Sequence, residues 1–249
     1  MTDPPLLELS DVTCTIETGQ VLFDHLDLVV NEGDIVVLQG RSGTGKTTLL
    51  KCIAHLILYE GEIRYRGELA RQMGIPNYRT RVLYVPQRPS LLPGGPLTFL
   101  KSILSLQSQA SARPAHERKS EIRMETTHGR AREITEAWDL DSELWERDWS
   151  NLSGGEAQRM LLAIALALDT AEVILLDEPT SALDEETSLL VERYLVDEVA
   201  SQTGSLKALV WITHSADQGR RVGTRFVHLA RGKCMEGTPS STPSTTSLV

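Results

Sequence analysis

The segment Gly40-Arg41-Ser42-Gly43-Thr44-Gly45-Lys46-Thr47-Thr48 follows the pattern G-x-x-x-x-G-K-[ST]. These residue types at this spacing suit phosphate binding. Glycines let successive backbone N–H groups turn inward, and the start of a following helix adds a partial positive charge. Lys46 would neutralise the outer phosphate oxygens, and the Thr47 hydroxyl would ligate Mg²⁺. A second constellation is Val173-Ile174-Leu175-Leu176-Asp177-Glu178, an apolar run that ends in two carboxylates. There Asp177 would hold Mg²⁺ through water, and Glu178 would orient or deprotonate an attacking water. An acidic pair after a strand is also a common helix cap, so the pair gains its meaning from the Lys46 loop. The third segment, Asn151-Leu152-Ser153-Gly154-Gly155-Glu156-Ala157-Gln158-Arg159, precedes an apolar helical run. Two readings stand side by side: Ser153 caps that helix and nothing more, or Gly154 and Gly155 leave its first amides open as a second anion site.

These groups need a scaffold that brings them to one edge. Ile35 to Gln39 is almost continuously apolar, as are Val173 to Leu176 and Ala208 to Thr213, which predicts strands buried on both faces. Helical stretches separate them, one beginning near Lys46, so the expected core is a parallel sheet covered by helices, with the ligand at the carboxyl ends of its strands. Upstream, Leu6 to Leu9, Val21 to Phe23 and Leu26 to Val30 read as a small antiparallel sheet. From Ser105 to Glu133 polar residues dominate and charges alternate in sign, which reads as a loop or solvated helix longer than the fold needs. Trp138, Trp145 and Trp149 are spaced by seven and four, as on a helix, and read as core. Ten of the twelve residues from Thr238 to Val249 are Ser, Thr or Pro, a composition expected to be disordered.

The chain has 249 residues, 25 basic and 34 acidic, for a net charge of −9. No overall positive field draws it to nucleic acid or anionic lipid. Its longest apolar run, Met160 to Leu168, is nine residues, against about 20 for a membrane-spanning helix. The N-terminus has no signal-like pattern. Cys14, Cys52 and Cys234 lack metal-ligand spacing and read as reduced thiols. The chain is expected to stay in the cytosol or on the cytosolic side of a membrane.

The Gly40–Thr48 loop, Leu152-Ser153-Gly154-Gly155-Glu156, Asp177-Glu178, Ser181-Ala182-Leu183-Asp184 and His214 resemble, in order and spacing, the nucleotide-binding domain of ABC (ATP-binding cassette) ATPases. The resemblance runs from about Leu6 to Gly237. It implies an α/β P-loop NTPase domain over 6–237 with a parallel-sheet core, an N-terminal antiparallel β subdomain and a helical subdomain at about 89–150. It implies ATP and Mg²⁺ as ligands, ATP hydrolysis, and a head-to-tail dimer in which Ser153, Gly154 and Gly155 face the ATP held by the other copy's Lys46 loop. It places Asp184 in a loop crossing that dimer interface, Gln87 where a glutamine reaches Mg²⁺ and the water, and His214 at the γ-phosphate. The partner it implies is a separate membrane permease, with the chain peripheral on the cytoplasmic side. The alternative is a soluble ABC ATPase acting on a protein or nucleic-acid assembly.

Two positions depart from the family pattern. The position that usually stacks an aromatic ring on adenine falls on or near Ile16, and Thr13 to Gln20 holds no aromatic residue. Glu156 replaces the commoner glutamine, a frequent variant. The Pro89–Gly95 opening and the Leu209–His214 strand look most like small stand-alone ATP-binding subunits related to bacterial iron-export and plant metal-tolerance transporters.

Overall fold

The structure is a computed structural model and describes residues 4–16, 19–88, 93–112, 120–230 and 232–238. Residues 89–92, which open the expected helical region, and the Ser/Thr/Pro tail from residue 239 lie outside them, as does 113–119 of the polar segment.

Two sheets form the frame. In the first, β1 (Leu7–Thr15) pairs antiparallel with β2 (Val21–Val30) and with β4 (Glu60–Tyr65), and β5 (Glu68–Leu69) closes one edge. The second has six strands: β10 (Lys233–Gly237), β9 (Arg225–Ala230), β3 (Ile35–Gln39), β8 (Ala208–Ile212), β7 (Val173–Asp177) and β6 (Val82–Val85), in that spatial order. All its pairings are parallel except the outer β9–β10 hairpin.

Every residue of β3, β7 and β8 is buried, the outcome that their unbroken apolar sequences predict. Alternate side chains serve two cores. Val36, Leu38, Leu175 and Val210 face the antiparallel sheet and α1 (Lys46–Ile53), where Leu49, Leu50 and Ile53 meet them. Val37, Ile174, Leu176 and Trp211 face the other way, towards α7 (Gly154–Ala167) and α8 (Glu185–Ser201). Two short helices, α2 (Ala70–Met73) and α3 (Ile75–Arg81), lead into β6.

The region before α7 is helical: α4 (Pro96–Leu104), α5 (Gln107–Ser111), α6 (Ser120–Ala137) and two 3₁₀ turns at Ser142–Trp145 and Trp149–Asn151. Here the structure corrects two expectations. The polar stretch up to Glu133 is not spare length, because the second half of α6 buries Ala131 and Ile134 in the core that α7 shares. A few apolar residues at i, i+3 and i+7, ending at Trp138, suffice to dock an otherwise polar helix. The three tryptophans are core, as expected, but do not share a helix. Trp138 lies just past α6 with its ring edge-on to Tyr194, Trp145 ends the first 3₁₀ turn against His128, and Trp149 begins the second against Phe99.

Candidate nucleotide-binding and hydrolysis site

Four adjacent parallel strands, β3, β8, β7 and β6, end side by side, and each is followed by candidate residues. The loop after β3 carries Gly40–Thr48, β8 leads to His214, β7 ends at Asp177 before Glu178, and β6 leads to Gln87.

The loop turns through residues that only glycine fills without strain. At Gly40 a Cβ would lie 2.7 Å from the Leu229 carbonyl oxygen and 2.8 Å from Thr44 Oγ1. Gly45, with φ 94°, is the N-cap of α1, so the helix begins with no side-chain cap and no acidic residue in its first turn. That leaves an uncapped helix start for an anion. Arg41, Ser42 and Gly43 are exposed at the loop's outer side, whereas Thr44 folds back, its hydroxyl donating to the Arg41 carbonyl at 2.9 Å. Thr48 is half-buried in the first turn of α1. Lys46 is 6% exposed, and its ammonium donates to the carbonyls of Gly40 (2.9 Å) and Arg41 (3.1 Å). Burial lowers its pKa, and the nearby Glu178 and Asp177 carboxylates oppose that shift.

Asp177 is buried and uses both oxygens. The Thr47 hydroxyl donates to Oδ1 at 3.1 Å and the Tyr84 hydroxyl to Oδ2 at 3.0 Å. Burial, with the Asp177 carboxylate beside it, raises the Tyr84 pKa, so the phenol stays a donor at neutral pH. Thr47 and Asp177 thus bring two hard oxygen donors together. Among the described residues no group of three or more His, Cys, Asp or Glu side chains forms a metal cage. A hydroxyl and one carboxylate fit Mg²⁺, which keeps waters and phosphate oxygens as its other ligands.

Glu178 is the convergence point. Gln87 Nε2 donates to its Oε2 at 2.8 Å, and His214 Nε2 lies 3.0 Å from its Oε1. Gln87 also reaches Ser181 Oγ at 3.4 Å. The Glu178 backbone is in the left-handed region, φ 49°, which non-glycine residues adopt only when their surroundings hold them there. Its N–H donates to Ile212 O at 3.1 Å. The structure therefore joins Lys46, Thr47, Gln87, Asp177, Glu178 and His214 in one place.

It does not bring the other candidates into that cluster. Ser153 caps α7 in a full capping box: its Oγ accepts from the Glu156 N–H at 3.2 Å, and the Glu156 carboxylate accepts from the Ser153 N–H at 2.7 Å. The cap reading holds within one chain, and those bonds keep the Glu156 carboxyl below its usual range. Gly154 and Gly155 open the helix beside the Ser181–Asp184 loop, and a Cβ on Gly155 would lie 3.0 Å from the Ala182 carbonyl oxygen. Asp184 caps α8, accepting from the Thr187 N–H at 2.9 Å. Among the described residues no hydrogen bond links Ser153 or Asp184 to the Lys46 loop.

Two residues of the site escape a reading of the sequence as a string. Tyr84 is a strand tyrosine whose role depends on β6 lying beside β7. Gln158, 1% exposed in the second turn of α7, contacts three loops at once; its one sequence signal is an amide at the edge of an apolar helix.

A family model for the ABC transporter domain matches residues 23–181, a stretch that includes the Lys46 loop, the Ser153 segment and Asp177-Glu178. The phosphate import ATP-binding protein PstB 2 of Aliivibrio fischeri is 30% identical over 244 residues, covering 92% of this chain and 84% of that protein. The glycine betaine uptake system ATP-binding protein YehX of Escherichia coli is 32% identical over 234 residues, covering 93% of this chain and 70% of that one. Among solved structures, a dimeric post-hydrolysis ATP-binding cassette bound to ADP and Pi superposes with a TM-score of 0.76 at 26% identity, over 94% of this chain and 99% of that one. The glycine-rich loop before the uncapped start of α1, the Asp177-Glu178 strand end and the Ser153 capping box thus sit on a fold and a sequence that agree: the chain belongs to the ABC transporter family.

Proposed function

We propose that this ABC ATPase hydrolyses ATP as a head-to-tail pair of chains and drives a separate membrane permease from the cytoplasmic side. The observation that carries the hydrolytic part is the Glu178 carboxylate, held by Gln87 and His214 beside the Thr47–Asp177 pair. Thr47 and Asp177 would hold Mg²⁺, which when bound would supply charge neutralisation at the phosphate oxygens. The Gly40–Thr48 loop and the start of α1 bind the phosphates, and Lys46 turns from the loop carbonyls to their oxygens. Glu178 orients the attacking water and accepts its proton, while Gln87 and His214 fix the carboxylate. Tyr84 holds Asp177 in its rotamer.

The second chain is needed because the Ser153 segment, capped on its own helix, has no nucleotide within its own chain to serve. Its open glycine-flanked amides face an ATP presented by a partner copy, with Asp184 at the crossing. For the permease, there is an apolar groove lined by Leu83, Tyr84, Pro86, Phe99, Ile103 and Trp149, and Pro86 immediately precedes Gln87 in the chain. No helix among the described residues is long and apolar enough to cross a membrane. With a net charge of −9, the nucleic-acid alternative has the weaker electrostatic support.

The test is phosphate release from Mg²⁺-ATP by the isolated chain over a range of protein concentrations. The rate per chain is expected to rise with concentration, because an ATP-loaded pair must assemble. A rate per chain that stays constant while the protein sediments as a monomer contradicts the proposal.

The base site yields a prediction about selectivity. Ile16 sits at the β1–β2 turn, its N–H bonded to Gln20 O at 3.0 Å; a Cβ placed on Gly45 would lie 3.4 Å from Cδ1 of the Phe23 ring and 3.6 Å from Leu22 Cβ. Phe23 is buried and offers no ring to a base. An aliphatic wall discriminates poorly, so ATP and GTP should bind with similar affinity. Ile16→Tyr is expected to tighten ATP binding by up to about tenfold through stacking. Titration with both nucleotides checks this, and unchanged affinities would move the base elsewhere.

A further inference from the structure

Helix α7 carries one buried amide whose bonds leave the helix altogether. Gln158 Nε2 donates to the carbonyl oxygens of Gln87 (3.1 Å) and Glu178 (3.0 Å), and its Oε1 accepts from the Ala182 N–H at 3.2 Å. Both amide protons and the oxygen are used. The partners also fix which way the amide faces, since the reversed group would set its oxygen against two carbonyls and its NH₂ against an N–H.

These three contacts fall on the backbones of the three loops around the candidate hydrolysis site. Glu178 is the most constrained of them, with φ 49°. Its N–H is held from the sheet side by Ile212 O, on the strand that leads to His214. Its carbonyl is held by Gln158 from the helix side and by the Ser181 N–H at 3.2 Å. Gln87 is gripped twice, its side chain by Glu178 and its carbonyl by Gln158. Ala182 sits where Gly155 packs, so the same loop meets α7 at two places. Gln158 lies one turn beyond Ser153–Gly155, on the helix that those residues open.

We propose that Gln158 is a positioning residue for hydrolysis, tying the Ser153–Gly155 helix to the backbones of Gln87, Glu178 and Ala182 so that a shift of that helix moves the Glu178 carboxylate and the Gln87 amide together. The proposal rests on the reading that Glu178 activates water. Removing the amide takes that bond from the Gln87 carbonyl and the Ala182 N–H, leaves the Glu178 carbonyl with the Ser181 N–H alone, and frees a backbone that prefers another conformation. The Lys46 loop is untouched, so ATP binding survives. Turnover falls because a displaced carboxylate no longer meets the water.

The experiment compares Gln158→Met, which keeps length without hydrogen bonds, and Gln158→Glu, which keeps shape and the Ala182 bond but loses both donors, in the full chain. Both are expected to hold KM for ATP within about threefold of wild type and to lose about 10- to 100-fold in kcat, read well below their melting temperatures. Added to Glu178→Gln, Gln158→Met should lower the residual rate far less than it lowers the wild-type rate, because the group it positions is gone. A lower melting temperature with unchanged kcat per folded chain would overturn the proposal, and so would an equal fold-loss in both backgrounds. Failure of both variants to fold would make the amide a core-stability group and overturn it too. Near wild-type turnover in Glu178→Gln alone would sink the water-activation reading itself, whereas a dead Glu178→Gln beside a normal Gln158→Met would remove only the positioning role.

Discussion

Glu178→Gln is expected to lower steady-state phosphate release by about 10²-fold or more while leaving ATP binding close to wild type. The amide has the carboxylate's shape, so the left-handed backbone at Glu178, its bond to Ile212 O and the packing around it persist. What would disappear, on the proposed function, is the group that accepts the proton of the attacking water, and a positioned base contributes typically 10²- to 10⁴-fold. A loss of 10² corresponds to about 2.7 kcal/mol of transition-state stabilisation. The proposed binding elements are other residues, the Gly40–Thr48 loop and the uncapped start of α1. Equilibrium ATP binding and phosphate release, measured on the same preparation, separate the two. Turnover near the wild-type rate would remove Glu178 from the reaction.

The second large effect concerns which chain Ser153 serves. In a head-to-tail dimer each composite site takes the Lys46 loop from one chain and the Ser153 segment from the other. Lys46→Ala removes the buried ammonium from the first half, and Ser153→Arg blocks the second; each variant alone should be inactive. Mixed, they form heterodimers in which one site carries both lesions and the other carries none. With random pairing, half the dimers are mixed and each has one good site of two, so activity should return to about a quarter of the wild-type rate. A mixture that stays dead with both variants folded leaves two explanations, either that turnover needs two intact sites or that Ser153 acts on its own chain's nucleotide.

What could be read from the string of residues was whatever depends on neighbours in sequence. The strands β3, β7 and β8 show as apolar runs because both faces are buried, and the Lys46 loop shows because its glycines and hydroxyls are consecutive. The Ser153 cap is legible for the same reason, three residues before Glu156. Relations set by sheet order are not. Nothing in Val82-Leu83-Tyr84-Val85 says that β6 will pair with β7, and without that pairing the Tyr84 hydroxyl has no reason to find Asp177, 93 residues away. The three-way contact of Gln158 is of the same kind, since its partners lie 71, 20 and 24 residues off. The polar stretch before Glu133 misled because average polarity hides a narrow stripe: Ala131, Ile134 and Trp138 dock α6 while its other faces stay solvated.

Nucleotide-driven pairing is the most direct test of the account. Glu178→Gln, which should bind ATP without consuming it, is examined by sedimentation with and without Mg²⁺-ATP. The account predicts a shift from the 27.5 kDa chain to twice that mass on adding ATP, reversed on its removal and abolished when Ser153→Arg is added to the same chain. A species that stays at the monomer mass at saturating ATP, or a dimer that forms equally well with Ser153→Arg, would contradict it.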